Sequence, residues 1–304
     1  MALRSLDNAL PITPERPKRQ TKVAVSIPKL SEPSANDENR FPSAPIADAT
    51  IDYISSENLK PISDPESNIQ SLNDGMDSKD WTKVCESLNN ARRFALFHPS
   101  LLLPNLEKVV MILVKAIKNP RSAICKTSLM ASSDIFKAFG DNLLEFTDFD
   151  AFNQLLLQLL LKASQDKRFV CEEADRALHA MVGSMKPLPL LHKLQSCVGH
   201  ANLRVRAKAA ISISHCVSKM GLEGMNEFGF VPLLHIAVDS LNDRLPEARE
   251  AARSVVMSVH EAFMESEDKG EESWESFCHS NLAPIHAQAI VKLISSQEYP
   301  SLGH

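Results

Sequence analysis

Asn202-Leu203-Arg204-Val205-Arg206-Ala207-Lys208-Ala209-Ala210-Ile211-Ser212-Ile213-Ser214-His215-Cys216-Val217 places small and apolar side chains at helical spacing, and its frame returns four more times along the chain. The frame is a small or apolar residue, then Cys or Arg, two free positions, and another small or apolar residue, with further such positions three and seven residues on. Its copies are Val84-Cys85…Leu88, Ile124-Cys125…Ser128, Val170-Cys171…Ala174, Val205-Arg206…Ala209 and Ala248-Arg249…Ala252. The second position therefore steps through 85, 125, 171, 206 and 249, at intervals of 40, 46, 35 and 43 residues.

An interval near 40 residues with helical periodicity inside each copy is that of HEAT or armadillo solenoids. Their helical pairs bury their apolar faces only when neighbours stack on them. The expected fold class is all-α, a HEAT/armadillo-type α-solenoid of roughly five to six helical pairs. Composition agrees: 44% of residues are hydrophobic, 23% charged and only 6% aromatic, with nine glycines. That favours helix over strand, since β-rich folds lean on aromatic and β-branched residues.

A net charge of -5 argues against general nucleic-acid binding, which needs a broadly basic surface to displace counterions from phosphates. The start, Met1 to Leu10, has no apolar core of a signal peptide, and no window approaches the roughly 18 apolar residues of a membrane span, so neither secretion nor a membrane is expected. Cys85, Cys125, Cys171, Cys197, Cys216 and Cys278 lie far apart without a CxxC pair. They read as reduced core thiols of an intracellular protein, with no metal site.

Along the chain, residues 1–65 hold nine of the eighteen prolines and no glycine, a composition that forms no core and is expected to be a disordered tail. Within it, Arg16-Pro17-Lys18-Arg19-Gln20-Thr21-Lys22 is a basic cluster beside Thr13-Pro14, either an electrostatic tether or nuclear signal that phosphate would weaken, or a solvated tail. A marginal helix is expected near Ile51 to Asn58. The solenoid is expected over 66–296, followed by a short tail, 297–304. Asp80 is the expected N-cap of the first framed helix. Pro99, Pro104, Pro187 and Pro189 punctuate the helices. Expected helices include Leu106 to Ile117, Ile124 to Phe139 closed by Gly140, Phe149 to Ala163, Val170 to Met185, Leu190 to Val198, Val205 to Lys219, Phe230 to Leu241 and Glu247 to Met264. Glu265 to Glu272 reads as an acidic surface loop, and Trp274 to Ser296 as one or two closing helices.

The sequence has no GxGxxG, P-loop, HExxH or GxSxG, and its ten histidines are scattered, so an enzyme, a cofactor or a metal ion has no residues to rest on. The informative feature is the basic loops. In a stack of helical pairs, the short loops within pairs line up along one edge. Here they carry Lys79, Trp81 and Lys83, then Lys118, Arg121 and Lys126, then Lys167, Arg168 and Phe169, then Arg204, Arg206 and Lys208, and finally Arg244 and Arg249. Arg206 and Arg249 sit where Cys stands in the other copies, so two readings are open for them: loop cations, or partners of a carboxylate on a neighbouring helix. Trp81 follows Ser78-Lys79-Asp80, a polar context that suits an exposed anchor.

Ser78-Lys79-Asp80-Trp81-Thr82-Lys83 at the first loop, followed by further helical pairs at HEAT spacing, resembles a TOG domain. Leu102 to Phe146 is similar to the corresponding part of the CLASP N-terminal family. The resemblance covers about residues 66–296. It implies a non-catalytic domain whose aligned loops bind α/β-tubulin or microtubules, in the cytoplasm at the cytoskeleton. It implies Trp81 as apolar anchor with Lys83 beside it, Arg121 in the second loop, Lys167 and Arg168 in the third, Arg204 in the fourth and Arg244 in the fifth. The second loop departs from the pattern, with Asn119-Pro120-Arg121-Ser122 where many members place an apolar residue. A single such domain implies an adaptor, a weak regulator, or help from a dimer or the basic tail, and the tail is a further candidate for protein contacts. The alternative is a HEAT/armadillo scaffold that binds another protein through a helical face and leaves tubulin alone. The first reading needs Trp81, Lys167, Arg204 and Arg244 exposed along one edge.

Overall fold

The computed structural model describes residues 53–145, 149–266 and 273–298, all within the unit Ala49–His304. The basic cluster at 16–22, most of the acidic 265–272 segment and the residues after 298 lie outside the described residues. Among the described residues there is helix and no strand, and no helix is long and apolar enough to cross a membrane.

The helices are α1 (Pro65–Met76), α2 (Trp81–Phe97), the short α3 (Pro99–Leu102), α4 (Leu106–Lys118), α5 (Ser122–Phe139), the short α6 (Asn142–Glu145), α7 (Phe149–Ala163), α8 (Arg168–Ser184), α9 (Pro187–Gln195), α10 (Leu203–Phe228), α11 (Phe230–Leu241), α12 (Pro246–Glu265), α13 (Trp274–Asn281) and α14 (Pro284–Glu298). They pair as α1/α2, α4/α5, α7/α8, α9/α10, α11/α12 and α13/α14. The second helices of the pairs follow one another, α2 on α5, α5 on α8, α8 on α10, α10 on α12 and α12 on α14. This is the expected solenoid. Its frame positions are buried as expected, with Leu88, Ser128, Ala174 and Ala209 at 0% exposure and Ala252 at 2%.

Local chemistry sets the ends. Asp64 accepts the Ser67 N–H before a Pro at the start of α1, and Asp80 accepts the Thr82 N–H at 3.0 Å before α2. Gly140 closes α5 at φ 48°, and a Cβ there would meet the Ser184 carbonyl at 2.7 Å, so glycine lets the end of α8 approach the end of α5. The sequence stops the fourth framed helix at Lys219. In the structure it breaks two residues later, at Gly221 with φ 70°, and a further stretch runs on to Phe228. Phe152, Leu155, Leu156, Leu159 and Leu160 make α7 the buried helix its stripe predicts. Ala207, Ala210, Ala248 and Ala251 form a separate small cluster where α10 lies on α12.

The contact of α8 with α10 is polar by comparison. Lys208 Nζ bonds both Asp175 carboxylate oxygens at 2.7 and 2.8 Å, and the His179 and His215 rings stand 5.0 Å apart. Lys219 Nζ donates to the carbonyls of Val182, Gly183 and Met185, which α8 leaves unbonded at its end.

Residues from Tyr53 onward, expected in the tail, belong to this unit. A 3-10 turn at Ser56–Asn58 stands where a marginal helix is expected, and Leu59 is 5% exposed. Arg92 of α2, 1% exposed, reaches Asp134 of α5 with Nε at 2.7 Å and donates from Nη1 to the Ile54 carbonyl at 2.8 Å. The Ser56 hydroxyl donates to the other Asp134 oxygen at 2.7 Å. A strap thus crosses α2 and α5, because a buried ion pair needs its remaining donors and acceptors satisfied and Ile54 and Ser56 supply them.

Candidate functional site

Trp81 opens α2 directly after the Asp80 cap, which fixes the first turn at the loop edge. Its ring is partly buried against the core, and the Arg121 guanidinium stands 4.5 Å from the ring centroid. The Arg121 N–H donates to Asn119 Oδ1 at 2.9 Å, which sets the second loop in place. The ring lines a recess of about 250 Å3 floored by Met76, Val84, Ile112, Ala116 and Ile124, with Lys79, Lys115 and Arg121 at its rim. The expected free-standing anchor is therefore corrected: Trp81 reaches the edge, but its ring is roofed by Arg121 and shared with the core. Lys83 is exposed beside it.

Lys167, Arg168 and Phe169 are exposed at the third loop, and Arg204 and Arg244 at the fourth and fifth. Their roles differ. Arg168 Nε bonds Glu172 at 2.7 Å, and this contact raises the guanidinium pKa and lowers that of the carboxyl. Arg204 Nη1 bonds Asp166 at 2.5 Å and the Ser164 carbonyl at 3.2 Å, so the fourth loop holds the third. Arg206 bonds Asp243 at 2.9 Å and the His200 carbonyl at 2.9 Å, so the fourth loop also holds the fifth. Burial pushes the Asp243 carboxyl up, and bonds from the Leu245 N–H and Arg206 outweigh it, leaving its pKa below the ordinary value. Of the two readings open for Arg206 and Arg249, carboxylate pairing holds for Arg206 alone, and its partner Asp243 stands in the fifth loop and not on a helix. Arg206 meets a carboxylate, whereas Arg249 Nη1 donates to the Asp243 and Arg244 carbonyls at 2.8 and 3.1 Å.

The seven expected residues lie at or just before the first turns of α2, α5, α8, α10 and α12 and divide by partner. Arg121, Arg168 and Arg204 each have an internal contact. Lys83, Lys167 and Arg244 make no ion pair among the described residues. Their charge faces solvent on a chain of net charge -5. Two aromatic residues extend the edge. Phe169 is 42% exposed; its sequence places it in the third loop without marking it as a site residue. Tyr53, 43% exposed, lies under the Lys126 ammonium, 4.2 Å from its ring centroid. Its assignment to a Pro-rich tail hid it, and its only sequence signal is an aromatic ring in a segment nearly free of them. No group of three or more His, Cys, Asp or Glu suited to a metal ion occurs among the described residues. All six cysteines are free thiols; Cys85, Cys125, Cys216 and Cys278 are buried as expected, whereas Cys171 and Cys197 are only partly buried.

No protein-family model matches the chain. Over 166 residues it is 28% identical to the TOG array regulator of axonemal microtubules protein 1 of Mus musculus, covering 54% of this chain and 9% of that protein. The matched stretch therefore spans under a tenth of that relative's length. The TOG domain of C. elegans Zyg9 superposes with a TM-score of 0.56 at 16% identity, over 81% of this chain and 91% of that one. The MAST/Orbit N-terminal domain gives 0.54 at 14% identity, over 79% and 99%. The fold is that of a TOG domain, a HEAT-type helical solenoid.

Proposed function

We propose that this domain binds tubulin, free or in the microtubule, along its loop edge, and acts without catalysis in regulating microtubule dynamics or organisation in the cytoplasm. The observation that carries the reading is the loop edge itself. On an acidic chain, Lys83, Lys167 and Arg244 are held there outside any ion pair among the described residues, beside Trp81 and its apolar recess. Internal ion pairs brace the loops between them, so the charges are presented on a rigid support and little ordering entropy is lost on contact. An acidic protein surface is the complementary partner, and long-range attraction would raise its association rate. The similarity to a relative named as a regulator of axonemal microtubules supports a partner of this kind in microtubule biology. The test is co-sedimentation with microtubules together with gel filtration against free tubulin. Co-elution or co-pelleting supports the reading, and failure of both sinks it.

One observation favours a second reading, a protein-interaction scaffold. The strap is a short segment with one 3-10 turn, bound across α2 and α5 through the Ile54 carbonyl and Ser56 hydroxyl, which is how a helical face would hold a peptide. A domain truncated to residue 60 that captures the strap as a separate peptide, while ignoring tubulin, would favour that reading.

A further inference from the structure

We infer that Tyr53 and Phe169 form the apolar centre of the loop edge and set where on its acidic partner the domain sits; this rests on the tubulin reading above. Large exposed apolar side chains are few among the described residues, namely Tyr53, Phe97, Met111, Phe169, Met264 and Ile285. Phe97 and Met264 close α2 and α12 at the far ends of those helices, Met111 lies midway along α4, and Ile285 stands on the last helix. Tyr53 and Phe169 alone among these adjoin the loop edge. Phe169 follows Lys167 and Arg168 in the first turn of α8, and Tyr53 lies under Lys126, in the first turns of α5.

Charged side chains stand beside both rings. Lys126 covers the Tyr53 ring, and Arg168, the residue before Phe169, is held by Glu172. Each ring has a fixed backing. The third loop is fastened by Arg204 on Ser164 and Asp166 and by the Cys171 thiol on the Gln165 carbonyl. Tyr53 is fastened through the next residue, whose carbonyl accepts from the buried Arg92 at 2.8 Å. Aromatic side chains on a rigid support and ringed by charge are the composition of an interface hot spot, because they bury a large area at small entropic cost. Trp81 is less suited to that role, since its ring is packed against the core, whereas Tyr53 is 43% exposed. The partner surface should accordingly offer apolar contact at the second and third loops, flanked by carboxylates that meet Lys126 and Lys167.

The experiment is tubulin affinity of the full chain for wild type, Phe169→Ala, Tyr53→Phe, Tyr53→Ala and Phe97→Ala, with thermal melts of each. Phe97, 40% exposed at the other end of its helix, serves as the matched control. The expected result is a loss of about tenfold or more for Phe169→Ala, which persists at high salt because it reports burial and not charge. Tyr53→Ala should weaken binding similarly, while Tyr53→Phe and Phe97→Ala bind as wild type does. Wild-type binding that Phe169→Ala leaves unchanged overturns this inference alone. No binding by the wild type overturns both it and the tubulin reading.

Discussion

The Arg121 guanidinium lies over the Trp81 ring, 4.5 Å from its centroid, and joins the first loop to the second. A cation over an indole face contributes about 0.5–1 kcal/mol at an exposed site and more when desolvated. The contact holds the ring toward the core and keeps a charge at the edge. It also makes the second loop, where the sequence departs from the TOG pattern, part of the Trp81 site.

Arg121→Ala should uncover Trp81. The chain has two tryptophans, and Trp274 is 8% exposed. In a Trp274→Phe background, acrylamide quenching of Trp81 fluorescence should therefore increase on Arg121→Ala. Unchanged quenching would mean that the ring is shielded by the core alone.

Breaking the Arg92 to Asp134 pair should destabilise the domain strongly. Removing one member leaves the other buried and unpaired, a loss of about 3–5 kcal/mol, so Asp134→Ala should lower the melting temperature by many degrees. Deleting residues 1–60 should also lower it, because Ile54 and Ser56 complete that network and Leu59 is buried. Deleting residues 1–48 removes none of these groups and should leave the melt close to that of the full chain. Equal melts for the two truncations would remove the strap from the account.

Ala209→Phe should cost roughly 1–3 kcal/mol by overpacking, since Ala209 is fully buried on α10. Chemical denaturation with the slope held constant measures this. A neutral result would place α10 in a different register from the one described.

The α8 to α10 contact should weaken in mild acid. Burial, and the neighbouring His179, lower the His215 pKa from 6.5. The unfolded chain then binds that proton at a higher pH than the folded one, so the contribution is intact above about 6.5 and is lost as pH falls below it. Asp175 and Lys208, paired at 2.7 Å, and Lys219, bonded to the carbonyls at the end of α8, are further charged groups of this contact. Thermal melts at pH 5.5 and 7.5 should differ more for wild type than for His215→Gln. An equal difference would assign the acid sensitivity elsewhere.

The solenoid was legible because its determinants are local and repeated. Small or apolar residues recur at the helix contacts, and Asp80, the prolines and Gly140 mark helix ends through backbone chemistry that any sequence displays. The strap was not legible, since what holds it is an ion pair between residues 42 apart, and neither Arg92 nor Asp134 differs in pattern from a surface charge. The site was half legible. The loops revealed candidate cations, but Arg204 and Arg244 read alike until the fold brings Asp166 to the first, while the second has no carboxylate partner among the described residues. Trp81 misled for a related reason: its polar neighbours are in sequence, while the residues that cover its ring, Arg121 and the helices around the recess, come from elsewhere in the chain.

The most direct test of the central claim is tubulin affinity for wild type and the Lys167→Glu/Arg244→Glu double variant at two salt concentrations. These two side chains make no ion pair among the described residues, so reversing them alters the charge of the edge and leaves its loops intact; reversing Arg204 would also release the third loop. Screening lengths exceed about 10 Å below 0.1 M salt, where attraction between the edge and an acidic partner is strongest. The account predicts wild-type binding that weakens as salt rises, and a double variant with unchanged melting temperature that binds at least tenfold more weakly at low salt, with a smaller difference at high salt. Equal affinity of the two proteins at low salt, or no binding by the wild type, would contradict it.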